Sequence, residues 1–271
     1  MNMKKNGFTL IELIIGLGIA VIIMVAVYAA MNTVQRSSSS VVQKVTTQQD
    51  VRTVLDIMAM EIRMASYNPQ PPVIGSTWSS IPACSTMGNI TPTTGSKGIQ
   101  VANASTILIA MDLNGDGVIG CNANATNCKT CCGPPNTCTD TNCAGSNEYI
   151  EYSYGTNTIH RNVNCSGDTD ILGGTDNATT VINGTCTSYI NGTCACTSNI
   201  NGTCPALFQY FDASGASLAD GTGTVPATSI PNIRRIRITI VAQTLNTDSL
   251  TRKFRTMTYS TDVLVKNHAW N

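Results

Sequence analysis

The sequence is poor in the groups that enzymes and nucleic-acid binders rely on. Charged residues are 12% of its 271, well below the usual quarter. Sixteen Lys+Arg balance sixteen Asp+Glu, so no global field points to nucleic acid or an acidic substrate. There are two histidines, His160 and His268, far apart in the chain. No G-x-S-x-G, P-loop or HExxH segment occurs. These absences remove the common signatures of catalysis, and the chain is expected not to be an enzyme. Proline is missing from Phe8 to Asn68, so nothing there forces a helix to break. The stretch "CKTCCGPPNTC" has no histidine after its CxxC, which excludes c-type haem attachment.

What is present begins with a long apolar run. Phe8 to Ala30 carries one charged side chain, Glu12, and is long enough to cross a hydrocarbon core of about 30 Å. A carboxylate in such a run costs roughly 2.5–3.5 kcal/mol on insertion scales, so it needs a partner or a task. Lys4 and Lys5 precede the run and hold the N-terminus inside the cell. Gly7 lies before the whole apolar segment, so cleavage there leaves the segment on the mature protein, unlike removal of a secretory signal.

Beyond Ala30 the helical pattern continues. Val41, Val45, Val51, Val54, Leu55, Met58, Ile62 and Ala65 recur mostly at three- and four-residue steps, and Pro69 is the expected stop. A helix over 8–68 would be about 90 Å long. Its first half is apolar all round, for lipid or a helical bundle; its second half has one apolar stripe, for the edge of a domain. From Pro69 the texture is that of strands and turns. Strands are expected at 106–111 ("TILIAM") and 206–212 ("ALFQYFD"), with a hairpin over 148–161 turning at Gly155. A one-face-buried strand is expected at 233–242, where Ile236, Ile238 and Ile240 alternate with Arg235, Arg237 and Thr239. Residues 253–265 can pair with it across a loop at 246–249. The expected fold is α+β: a long N-terminal helix, transmembrane in its first half, packed on an antiparallel β-rich head with disulfide-rich loops.

The twelve cysteines are Cys84, Cys121, Cys128, Cys131, Cys132, Cys138, Cys143, Cys165, Cys186, Cys194, Cys196 and Cys204. In an exported head they are disulfide candidates, in preference to a zinc cluster. "INGTC" occurs at Ile182, Ile190 and Ile200, and its Asn-Gly steps favour tight turns. "DLNGDGVIG" places Asp112, Asn114 and Asp116 at alternate positions before Gly117, with the Val118 carbonyl next. This is the first half of a calcium loop, and calcium is the one cofactor expected. The glutamate that would close the set is missing, since Ala123 stands in its place. Seven of the sixteen basic residues fall between Arg234 and Lys266. Only Phe254 and Tyr259 are aromatic among them, too few to interleave for base stacking, which argues against DNA binding and for solvated strand faces that guard an edge.

The segment "GFTLIEL" at 7–13, after a basic leader and before an apolar helix, resembles the processing site of type IV prepilins and pseudopilins. The resemblance implies that a prepilin peptidase cuts after Gly7 and N-methylates Phe8. Residues 8 and 12 share a helix face, so Glu12 can meet the Phe8 amine of its own chain or, as the family implies, that of the next subunit in a fibre. "VRTVLDIMAMEIRMASYNP" (51–69), "MDLNGDG", "EYIEYSYGTNTIHRN" and the two closing strands resemble PilW-type minor pilins. This implies a leader (1–7), a membrane and fibre-core helix (8–30), its amphipathic continuation (31–68) and a head (69–271) with a cysteine-rich insertion (120–204) foreign to that family. The partners implied are the peptidase, other minor and major pilins, an inner-membrane assembly platform and membrane lipid. The subunit would wait in the inner membrane, N-terminus cytoplasmic and head periplasmic, before joining a surface pilus and helping prime its assembly. The rival readings are a J-like pseudopilin of type II secretion and a pilus adhesin that binds through 121–204.

Overall fold

The computed structural model describes residues 9–69, 97–113, 148–164, 166–174, 179–183, 186–190, 193–196, 205–248 and 251–270. A single helix α1 runs over Leu10–Arg63, 54 residues and about 80 Å. Its N-cap is Thr9, whose hydroxyl accepts from the Glu12 N–H. The helix ends six residues before Pro69, so the proline is not its stop. Met64 caps it and Ser66 turns the chain in the left-handed region at φ 64°. The close approach of Gly98 holds that turn: a Cβ at Gly98 would lie 2.2 Å from the Ser66 nitrogen and 2.4 Å from the Ala110 carbonyl oxygen.

The first sheet is an antiparallel meander of β1 (Ile99–Ala102), β2 (Thr106–Ala110), β3 (Tyr149–Gly155), β4 (Thr158–Val163) and β5 (Asp168–Leu172), in that spatial order. The β3–β4 turn falls on Thr156 and Asn157, both at positive φ. That is the primed geometry a two-residue hairpin needs, one residue later than the glycine had suggested. The second sheet centres on β10 (Arg235–Thr244). It pairs along one side with β11 (Thr256–Leu264) and along the other with β9 (Phe208–Phe211) and β6 (Thr179–Val181), all antiparallel. A separate hairpin joins β7 (Cys186–Ile190) to β8 (Thr193–Cys196). A 3-10 turn at Ile230–Asn232 and a short helix α2 (Lys266–Trp270) complete the described elements.

One continuous core joins α1 to both sheets. Val51, Val54, Leu55, Met58 and Ile62 of the helix meet Ile107, Ile109, Ile150 and Tyr152 of the first sheet and Ile236, Ile238, Ile240 and Val263 of the second. The expected alternation on β10 holds at its first half: the three isoleucines are buried and Arg235 and Arg237 are half-buried on the other face, but Thr239, expected beside them, is buried. The helix stripe is shorter than its periodicity suggested. Val41 and Val45 are exposed, and burial of α1 begins at Thr47. Nearer the N-terminus the head meets the helix through a polar contact, Ser40 Oγ to Asp248 Oδ2 at 2.5 Å, which leaves the valines uncovered.

Candidate functional site: the N-terminal helix and its attachment

Gly7 and Phe8 lie outside the described residues, and the first candidate residue described is Glu12. Its carboxylate accepts from the Thr9 N–H and the Thr9 hydroxyl, each at 2.9 Å. Together with the return bond from the Glu12 N–H this is a capping box, which satisfies donors at the helix start. The T-x-x-E spacing at 9–12 is legible in the sequence and is the signal for it. Before any subunit contact, Glu12 is therefore held by its own helix.

The helix is long and apolar enough to cross a membrane, and none of its most apolar window is covered by the head. Leu10, Ile14, Leu17, Val21, Val25 and Tyr28 are among the exposed apolar side chains. Over Leu10–Ala30 the molecule presents an exposed greasy rod, a surface for lipid or other such helices to cover.

The head grips the rod at several levels through polar groups that sequence patterning does not reveal. At the top, the Ser66 hydroxyl donates to His268 Nδ1 at 2.8 Å and accepts from the Gly98 N–H at 3.1 Å. His268 Nε2 donates to the Ile230 carbonyl at 2.9 Å; a carbonyl can only accept, which fixes the neutral tautomer. Burial, with Lys97 and Arg234 nearby, holds His268 down to about 4 despite the opposing pull of the Ile230 bond. One turn below, Glu61 takes a forked contact from Arg161, Nη2 at 2.6 Å and Nε at 3.1 Å, and a hydrogen bond from the Tyr152 hydroxyl. Burial works against the Arg161 charge, but the Glu61 carboxylate outweighs it and raises its pKa. Further down, the Thr179 hydroxyl donates to Asp50 at 3.2 Å. At the lowest level Asp248 accepts from Ser40 and from Arg255, with Nε at 2.7 Å.

The remaining sequence candidates divide between described and undescribed residues. Asp112 is fully buried, and its N–H donates to the Tyr67 carbonyl at 2.8 Å. Glu148, also buried, stands beside it: its backbone carbonyl accepts from Met111 and its Oε1 from the Leu113 N–H at 3.1 Å. Asn114, Asp116 and Val118 lie outside the described residues, and among those described no cluster of three metal-ligating side chains occurs. Cys84, Cys121, Cys128, Cys131, Cys132, Cys138, Cys143, Cys165 and Cys204 are also outside. Cys186, Cys194 and Cys196 lie on β7 and β8, where Cys186 and Cys196 are Cα partners across the ladder. Of the first INGTC copy, Gly184 and Thr185 lie outside the described residues, and its asparagine is described. Asn183 is buried, donates to the Pro205 and Thr239 carbonyls and accepts from the Val241 N–H. The basic strand face does meet an aromatic, brought from β9: the Arg235 guanidinium lies 3.9 Å from the Phe211 ring centre. Asp262 bonds both Arg235 and Arg237, which neutralises part of that face.

Comparison with known proteins bears on the whole of this arrangement. A family model described as prepilin peptidase-dependent protein B matches residues 40–261. A second, described as the prokaryotic N-terminal methylation motif, matches residues 2–28. No curated protein matches the chain. Among solved structures, a type IV-like pilin, TTHA1219 from Thermus thermophilus, matches at 10% identity and a TM-score of 0.35, covering 82% of this chain and 98% of that one, too distant to compare residue by residue. The apolar helix that follows the methylation motif thus leads into an antiparallel β head that a family model covers over most of its length, and this chain belongs to the prepilin peptidase-dependent protein B family.

Proposed function

We propose that the chain is a PilW-type minor pilin, processed by a prepilin peptidase after Gly7, N-methylated at Phe8 and carried into a fibre by its helix. The observation that supports this most is the junction of the methylation motif with an apolar helix that the head leaves bare over Leu10–Ala30. In this reading the protein waits in the inner membrane with its head in the periplasm. It then joins other minor and major pilins through an assembly platform and helps prime the fibre. Its role is structural, as substrate of the peptidase and not as an enzyme.

The capping box gives Glu12 a place in that sequence of events. In lipid, Thr9 satisfies the carboxylate; in the fibre, the Phe8 amine of the adjoining subunit takes it over. A buried charge pair of this kind fixes axial register more than it adds stability. Glu12→Ala is therefore expected to leave membrane insertion and cleavage intact and to lower the amount of this subunit in purified fibres. Normal incorporation of that variant would show the pairing to be dispensable here. A deletion strain scored together for fibres, exoprotein release and attachment separates the readings. Loss of fibres supports priming, loss of release supports the J-like pseudopilin, and lost attachment with intact fibres supports an adhesin.

Calcium at Asp112, Asn114, Asp116 and the Val118 carbonyl remains part of the proposal. Millimolar calcium is expected to raise the melting temperature of the detergent-solubilised chain, with the rise lost in Asp116→Ala. Equal melting with and without calcium would reduce the segment to a polar turn.

A further inference from the structure

We infer that the tip between β10 and β11, at residues 245–248 and 251–255, is a foot by which the head rests on anionic phospholipid at the membrane surface. The inference rests on the reading that α1 spans a membrane with the head outside.

The position of the loop follows from the direction of the strands. Asn267, just after β11, donates to the Arg63 carbonyl at the far end of α1, whereas Asp248 in the loop bonds Ser40. β10 therefore descends along the helix toward the bare rod and β11 climbs back. Between Glu12 and Arg36 the chain has no acidic or basic side chain, a span of about 34 Å, slightly more than a hydrocarbon core. The edge of the hydrocarbon then falls between Ala30 and Arg36, and Ser40 lies about 6–15 Å beyond it. That is within or just above the headgroup layer, and within about one screening length of lipid charge.

The chemistry of the loop suits that place. Arg252 and Lys253 are exposed and make no ion pair among the described residues, whereas Arg255 is held by Asp248. Phe254 is 51% and Leu245 47% exposed; the other exposed large apolar side chains of the described head are Leu113 and Leu264. Basic and apolar side chains mixed at one tip match an interface where acyl chains begin beneath charged headgroups. The two sides of the tip are tied to each other. Its backbone closes with Arg252 N–H to Asp248 carbonyl at 2.7 Å and Asp248 N–H to Lys253 carbonyl at 2.9 Å. Arg252 sits in the left-handed region at φ 54°, a conformation that glycine or asparagine adopts at less cost. An arginine kept there is consistent with a need for its side chain.

The test uses the full chain in lipid nanodiscs, with and without an anionic phospholipid fraction, and a water-soluble amine-acylating reagent read by peptide mass. Lys266, exposed beyond the other end of β11, is the internal control. Acylation of Lys253 is expected to slow about fivefold in the anionic discs, to recover in high salt, and to leave Lys266 unchanged. Arg252→Glu is expected to remove most of the protection without loss of the protein from the discs. Entry into the discs with Lys253 equally reactive in both lipids overturns the foot alone. Protection that follows the number of protein copies per disc, whatever the lipid charge, also overturns it and assigns the loop to a subunit contact. Failure to enter the discs at all overturns the membrane anchor and the foot with it.

Discussion

Ser66 and His268 are separated by almost the whole head yet bonded to each other, and the burial of His268 there makes it one of two groups, with Glu151, that set the response to mild acid. His268 is buried neutral and held down to about 4, against about 6.5 in an unfolded chain. Between those values the unfolded state takes up a proton that the folded state refuses. Stability from this group is thus complete above pH 6.5 and lost as the pH falls toward 4, in all about 3 kcal/mol. Glu151 acts with the opposite sign. Burial, with Asp168 nearby, pushes it up to about 7, so its proton uptake favours the fold over nearly the same range. Asp262, held low by Arg237 and Arg235, matters only below its ordinary range. Glu151→Gln should therefore uncover the histidine: urea midpoints of the variant fall steadily from pH 7 to 4.5, while those of the parent change less. Equal slopes would contradict the assignment. Gly98→Ala places a methyl against two backbone atoms and is expected to destabilise by more than about 3 kcal/mol, or to prevent folding. Removing Glu61 leaves Arg161 and Tyr152 without their acceptor in a largely buried site. Denaturant titration of Glu61→Ala should show a loss on the order of 2 kcal/mol, below that of a fully buried pair.

At the scale of elements, the long helix and the strand 235–244 were the most legible, because periodicity and alternation act over many residues. Val51, Val54, Leu55, Met58 and Ile62 take the core positions their spacing predicted. The helix end was misread because Pro69 is a local signal, whereas the true stop is a left-handed serine held by Gly98 and His268 from distant segments. The site divides in the same way. The methylation motif and the capping residues Thr9 and Glu12 lie within a few residues of one another and can be read directly. The grips at Glu61 and Asp248 depend on contacts across 100 and 208 residues, for which no periodicity exists. The β7–β8 hairpin gives the cysteines a concrete pairing to test. Cross-strand neighbours in a ladder lie about 4.5–5.5 Å apart at Cα, inside the range a disulfide spans. Non-reducing peptide mapping of protein from the native compartment is expected to show Cys186 linked to Cys196. The bond would form by exchange with the disulfide of an oxidised dithiol protein, which takes up the two electrons and the two thiol protons and is left as a dithiol. A free thiol at either position would reject the pairing.

For the whole molecule, the organising fact is the division of α1 at about Thr47 into a part the head covers and a part it does not. Leu10–Ala30 is exposed throughout and apolar but for Glu12, a surface untenable in water that a bilayer or a bundle of like helices can cover. The polar grips along Ser40–Ser66 keep the head in one orientation on the rod, which a fibre with fixed axial register requires. All of this presupposes that the leader is removed and that the helix enters assembly from Phe8. The most direct test is the intact mass of the chain extracted from membranes of a cell with an active prepilin peptidase. The account predicts loss of residues 1–7 and the gain of one methyl group on Phe8. Retention of Met1–Gly7 in that cell would contradict it.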